Sequence, residues 1–134
     1  MDTLIRSTMS LVVSLGLLFA GAAVADSPVK IDAPDSHSVE VKGKVTLYRV
    51  QVKGMDFGKD KDKVQAEVFV SLDSRPGIIY TLSLHDSKDG ASAVNQEMAE
   101  TLRTAYVNKS PVTIYRQIAM GRDNNFKILM VQLN

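Results

Sequence analysis

One nine-residue stretch limits the fold of this chain more than any other. Val64, Ala66, Val68, Val70 and Leu72 alternate strictly with Gln65, Glu67, Phe69 and Ser71, which is the period of a strand with one buried face. Asp73-Ser74-Arg75-Pro76-Gly77 follows; proline and glycine at those places stop a strand and close a hairpin. Residues 78–84 return as the partner strand, with Ile78, Tyr80, Leu82 and Leu84 on one face. Upstream, residues 38–53 read as one long strand. Val39, Val41, Val45 and Leu47 keep one parity, then Tyr48, Val50 and Val52 take the other, so a bulge or bend is expected between Gly43 and Tyr48.

Between these strands lies a charged, glycine-containing loop, residues 54–63. After a polar loop at residues 85–90 the period changes. Val94, Met98, Thr101, Leu102 and Ala105 fall on one side of a 3.6-residue wheel, with Gln96, Glu100, Arg103 and Thr104 on the other, which predicts a helix over residues 92–107. Ser92 is placed to cap its first turn, and Asn108 and Pro111 end it. Residues 112–118 form a fourth strand, 121–125 a turn and 126–133 a fifth. The order β-β-β-α-β-β is mainly β and matches a five-stranded OB-fold, a barrel with one helix; a plain α+β sandwich has the same element order. The last strand, Ile128-Leu129-Met130-Val131-Gln132-Leu133, is apolar on both faces, so its second face is expected against something dry, with Ile128 and Met130 as candidates for a subunit interface.

The start of the chain reads as an export signal. Arg6 precedes an uninterrupted apolar and small-residue run, residues 11–24, and Ala23-Val24-Ala25 supplies the small-x-small cleavage pattern. These are the parts of a secretory signal peptide over residues 1–25. The run is too short to span a bilayer comfortably, and no second hydrophobic span follows, so the mature chain is expected to carry no transmembrane segment and to be secreted or periplasmic. Residues 26–134 then make one domain, entered through an extended segment that holds Pro28 and Pro34.

Composition removes several functions. The chain has no cysteine, which excludes thiol catalysis, cysteine metal sites and disulfides. The formal net charge is +1, with acids and bases interleaved, so no electrostatic footprint for nucleic acid appears. His37 and His85 are far apart and no serine sits in a nucleophile motif, so neither a triad nor a zinc site is signalled. Asp56-Phe57-Gly58 and the alternating Lys and Asp after it share letters with kinase and calcium motifs. The lysines cancel the carboxylates, and no glutamate closes a calcium loop. A non-enzyme without cofactor or metal is expected.

At the helix the sequence becomes recognisable. Met98-Ala99-Glu100-Thr101-Leu102-Arg103-Thr104-Ala105-Tyr106 resembles the central helix of the cell-binding B subunits of cholera toxin and the heat-labile enterotoxins. Pro111-Val112-Thr113-Ile114-Tyr115 is similar to the strand start in subtilase-type and pertussis-like toxin B subunits. The resemblance covers residues 97–134. It implies an OB-fold protomer that closes into a homopentamer with the helices lining a pore, binds host glycoconjugates without catalysis, and partners a catalytic A subunit. It places Gln96, Glu100 and Arg103 toward the pore, with Glu100 of one subunit meeting Arg103 of the next. The chain departs from the enterotoxins in lacking their disulfide and their platform tryptophan. For sugar contact this leaves the polar loop with His85, Asp86, Lys88 and Asp89, and Tyr80, Tyr106 or Tyr115 as a stacking face. The other reading is a periplasmic OB-fold structural or interaction protein without lectin activity.

Overall fold

A computed structural model describes residues 37–85 and 91–134. The expected signal peptide and the expected extended lead-in, and Asp86, Lys88 and Asp89 of the expected sugar loop, lie outside the described residues. Among the described residues the fold is mainly β, with one α-helix. β1 (Ser38–Val50), β4 (Val68–Leu72), β5 (Tyr80–Leu82), β6 (Pro111–Gln117) and β7 (Phe126–Leu133) close a barrel in the order β1-β4-β5-β7-β6. The short strands β2 (Asp56–Phe57) and β3 (Val64–Gln65) make a separate two-stranded ribbon. Every barrel pairing is antiparallel except β5 with β7, which run parallel.

β1 serves two neighbours. Its first half pairs with β6, from Ser38 opposite Gln117 to Lys44 opposite Pro111, and its second half with β4. The register slips at Thr46, inside the window where the hydrophobic parity changes sides. The extra residue bends the strand around the barrel corner. It also turns Leu47 outward, to 39% exposure, and brings Tyr48 onto the core, where its hydroxyl donates to the Ala99 carbonyl at 3.2 Å. The bend is clipped by the turn after β4. Lys44 N–H donates to Asp73 Oδ1 at 2.8 Å, Asp73 N–H donates back to Lys44 O at 3.0 Å, and the Ser74 hydroxyl donates to Lys42 O. A Cβ at Gly43 would sit 2.6 Å from Asp73 Oδ1, so only glycine permits this approach.

The alternating stretch that anchors the sequence reading is not a single strand. It breaks at Ala66 and Glu67, giving β3 to the ribbon and β4 to the barrel. Nor does β4 have only one buried face: all five of its residues are buried. Val68, Val70 and Leu72 enter the core cluster, whereas Phe69 is covered from outside by Phe57 of the ribbon, ring centroids 4.6 Å apart. The expected loop 54–63 therefore contains a strand and a 3₁₀ turn, Asp60–Asp62, folded back over the wall of the barrel.

The helix α1 (Ala91–Asn108) starts before Ser92, which therefore lies inside it rather than capping it. Its buried line is Asn95, Ala99, Leu102 and Ala105, with Met98 packed beside the core. Val94, expected on that line, is 61% exposed. The helix ends in a Schellman arrangement: Ser110 N–H reaches Ala105 O at 3.0 Å, and Lys109 N–H reaches Tyr106 O at 3.4 Å. Lys109 takes φ 53°, the left-handed position where such ends usually place glycine. Among the described residues no helix is long and apolar enough to cross a membrane.

Candidate functional site

Two connections meet on the barrel wall, the segment between β1 and β4 and the segment between β6 and β7. Asp62 joins them. Its Oδ1 accepts the N–H groups of Asp123 at 2.8 Å and Asn124 at 2.9 Å. These bonds, the Asn124 amide foremost, hold the Asp62 carboxyl below the ordinary aspartate range, with Lys61 and Arg122 adding to the effect. The Asp62 backbone carbonyl accepts Asn125 Nδ2 at 2.7 Å. Arg122 donates to Asn125 O at 3.1 Å and to Lys63 O at 3.4 Å, and Lys61 pairs with Asp123. Asn124 ties the junction to the start of β5, accepting Ile79 N–H at 2.7 Å and donating to Gly77 O at 2.9 Å. The contact is close enough to require glycine at position 58. Gly58 has φ +87°, and a Cβ there would lie 2.4 Å from Asp62 O and 2.5 Å from Asn125 Nδ2.

Beside this junction is a polar cleft of about 410 Å3. Thr81 and Ser83 of the β5 segment, Gln65 of β3 and Lys127 of β7 form its walls, and Lys63, Arg122 and Asn125 border it from the joined connections. Lys63 pairs with Asp56 at 2.8 Å, and Gln65 Nε2 donates to the same carboxylate at 2.9 Å. Asp56 is thereby held below its usual range, the Lys63 contact first. Lys127 has no ion-pair partner among the described residues. No Asp or Glu borders the cleft among the described residues.

The residues singled out from sequence fall elsewhere. His85 is exposed, three residues beyond β5. Gln96, Glu100 and Arg103 share the outer face of α1 and are all exposed. Glu100 and Arg103 already pair within one protomer, so the expected contact between neighbouring subunits would have to displace a local one. Met130 is half-buried on β7, but Ile128 is 1% exposed and belongs to the barrel core. The parity that exposes Leu129 turns Ile128 inward, which removes it from any surface between subunits. Of the three tyrosines, Tyr80 lies in the core and burial pushes its phenol up. Tyr115 is buried with its hydroxyl on Glu40 Oε2 at 3.0 Å. Only Tyr106 presents a face, 6.4 Å from the Tyr48 ring.

The cleft residues went unnoticed in the sequence, although one signal was available. On β5 the parity that buries Tyr80 and Leu82 in the core sends Thr81 and Ser83 to the other face. No group of three or more His, Asp or Glu fit to hold a metal occurs among the described residues. The chain matches no protein-family model, no curated protein and no solved structure.

Proposed function

We propose that this protein is an exported, non-catalytic glycan-binding subunit on an OB-type barrel, assembling as a ring-shaped homopentamer in the manner of toxin B subunits. The observation that carries the reading is the strand order. Counting only barrel strands, the first lies between the second and the fourth, the third pairs in parallel with the fifth, and α1 is inserted between third and fourth. This order supports an OB-type barrel, a fold that binds oligosaccharides as well as oligonucleotides, and net charge near neutrality favours the former. The helix supports the ring. Val107, 70% exposed, stands on its outer face with Gln96, Glu100 and Arg103, and packing helix against helix would cover it.

Three measurements test this. The mature protein should begin at Asp26 on terminal sequencing. Native mass spectrometry at micromolar concentration should give five subunits, and a single subunit would overturn the ring. A glycan array should give a selective profile that changes when His85, Asp86, Lys88 and Asp89 are replaced by alanine. A blank array from an intact pentamer would leave the second reading, a structural or interaction protein without lectin activity.

A further inference from the structure

One end of the barrel carries two cations that nothing in the fold neutralises. Arg75, in the turn after β4, is exposed, and Arg116, near the end of β6, is half-buried. Neither has an ion-pair partner among the described residues. Both border one cleft of about 330 Å3, at the small end of the range of about 300–1,000 Å3 usual for ligand sites. Arg116 is held in place there. Its guanidinium carbon lies 3.8 Å from the centroid of the Phe126 ring, and Nη1 donates to Gln117 O at 3.1 Å. Its Nε and Nη2 donors have no partner among the described residues. Arg122 and Asp123 also border the cleft, but both are engaged at the junction, Arg122 on the carbonyls of Asn125 and Lys63 and Asp123 on Lys61.

Tyr80 borders the same cleft. It is 1% exposed, and its hydroxyl makes no hydrogen bond among the described residues. The one sealed side-chain oxygen or nitrogen without a partner among those residues is Asn125 Oδ1, so the Tyr80 oxygen is open to the cleft. Burial raises its phenol, and the Arg116 and Arg75 charges pull the other way, which sets both guanidiniums around the one hydroxyl. A buried phenol ordinarily finds a partner, and two guanidiniums without a carboxylate between them repel each other. The rest of the wall is apolar, from Val39, Val41, Ile78 and the Phe126 ring.

We propose that this cleft binds a small organic carboxylate with a compact apolar body, its oxygens on Arg75, Arg116 and the Tyr80 hydroxyl and its body against Val39, Val41 and Ile78. The unused donors assign the anion, and the edge of a guanidinium matches the two oxygens of a carboxylate. The walls assign the apolar body, since a bare inorganic anion would leave Val39, Val41 and Ile78 against water. Arg116 is fixed on Phe126 before the ligand arrives, so little ordering of that side chain is needed on binding. The site goes beyond the ring reading and does not depend on it. One protomer carries every residue, so a monomeric mass would end the pentamer and leave this site standing.

The test is an amide-resolved NMR titration of the purified protein with benzoate, with its neutral counterpart benzyl alcohol and with inorganic phosphate. Saturable shifts at Ile78, Tyr80, Arg116 and Phe126 are expected with benzoate, and weaker binding of the other two. Arg75→Gln should weaken benzoate about tenfold, whereas Lys53→Gln, at an exposed lysine outside the cleft, should leave it unchanged. Both alter exposed side chains and should keep the parent spectrum elsewhere. Tyr80→Phe should weaken benzoate several-fold without lowering the midpoint of thermal unfolding, because the hydroxyl it removes has no partner in the fold. A lower midpoint with unchanged binding would assign the phenol to the fold and overturn the proposal. Benzyl alcohol or phosphate binding as tightly as benzoate, equal loss in the Arg75 and Lys53 variants, or no shift at tens of millimolar benzoate would each overturn it as well.

Discussion

The helix side and the junction side of this barrel are stabilised by different means. Under α1 the contact is apolar: Leu102, Ala99 and Ala105 enter the same cluster as Val45, Leu82, Val112 and Ile114. At the junction Asp62, Arg122, Asn124 and Asn125 close the contact through directional hydrogen bonds, several to backbone groups. Apolar burial is indifferent to direction and sets stability, whereas hydrogen bonds net little each but fix geometry. The helix side should therefore decide whether the barrel folds, and the junction should decide the shape of the cleft beside it.

The sharpest way to break this division is Leu102→Ala. Leu102 is 0% exposed beneath the helix, and emptying such a site costs about 3–4 kcal/mol. For a domain this small the midpoint of thermal unfolding should fall by more than about 10 °C. A loss under about 1 kcal/mol in chemical denaturation would show that the helix is not what closes the core. On the junction side the strongest perturbation is Gly58→Ala, which meets both a positive φ and the Asp62 carbonyl. About 2 kcal/mol is expected. Gly54→Ala, at φ +86° with open space around it, should cost about 1 kcal/mol, and the difference between the two measures the close approach. Equal losses would mean that the connections do not need to touch.

This contrast also explains what the sequence disclosed. The barrel strands and the helix were legible because their burial is periodic, and even the bulge at Thr46 announced itself as a change of parity. The junction was not. Lys59, Asp60, Lys61, Asp62 and Lys63 look like a solvated charge run, and Gly121 to Asn125 like a turn; only the fold brings Asp62 to the backbone of Asp123 and Asn124 across 61 and 62 positions. The break at Ala66 and Glu67 was hidden for a related reason. The alternation continues unbroken through a place where hydrogen bonding changes partner, with Gln51 N–H going to Glu67 O at 2.8 Å. Burial on both faces of β4 needed knowledge that Phe57 would fold over Phe69. Val94 was misplaced because the helix turns Asn95 inward instead, where its Nδ2 donates to Ser83 O at 2.6 Å.

A finer probe of the junction is pH. The Asp62 carboxyl is held below its ordinary value by the amides it accepts, so its contribution is fully present above about pH 4 and is lost as pH falls through the depressed value. Amide exchange at Asp123 and Asn124 should accelerate relative to core amides at Val70 and Ile114 as the carboxyl is protonated. Asp62→Asn keeps an acceptor but cannot titrate, so its exchange should be several-fold faster at neutral pH and lose the acid-dependent component. Identical profiles in both proteins would assign the pH response to another group.

The smallest effect expected is a gain, on the helix side. Lys109 occupies the left-handed position that ends α1, at φ 53°, where a Cβ is a liability and glycine is at ease. Lys109→Gly should relieve that strain while adding freedom to the unfolded chain, for a net gain of about 0.5 kcal/mol in denaturant unfolding. The variant should leave junction exchange untouched, because Ser110 and Lys109 bond only to carbonyls of the last helical turn. A gain at the helix end accompanied by slower exchange at Asp123 would show that the two sides are coupled and that the division between them is too strict.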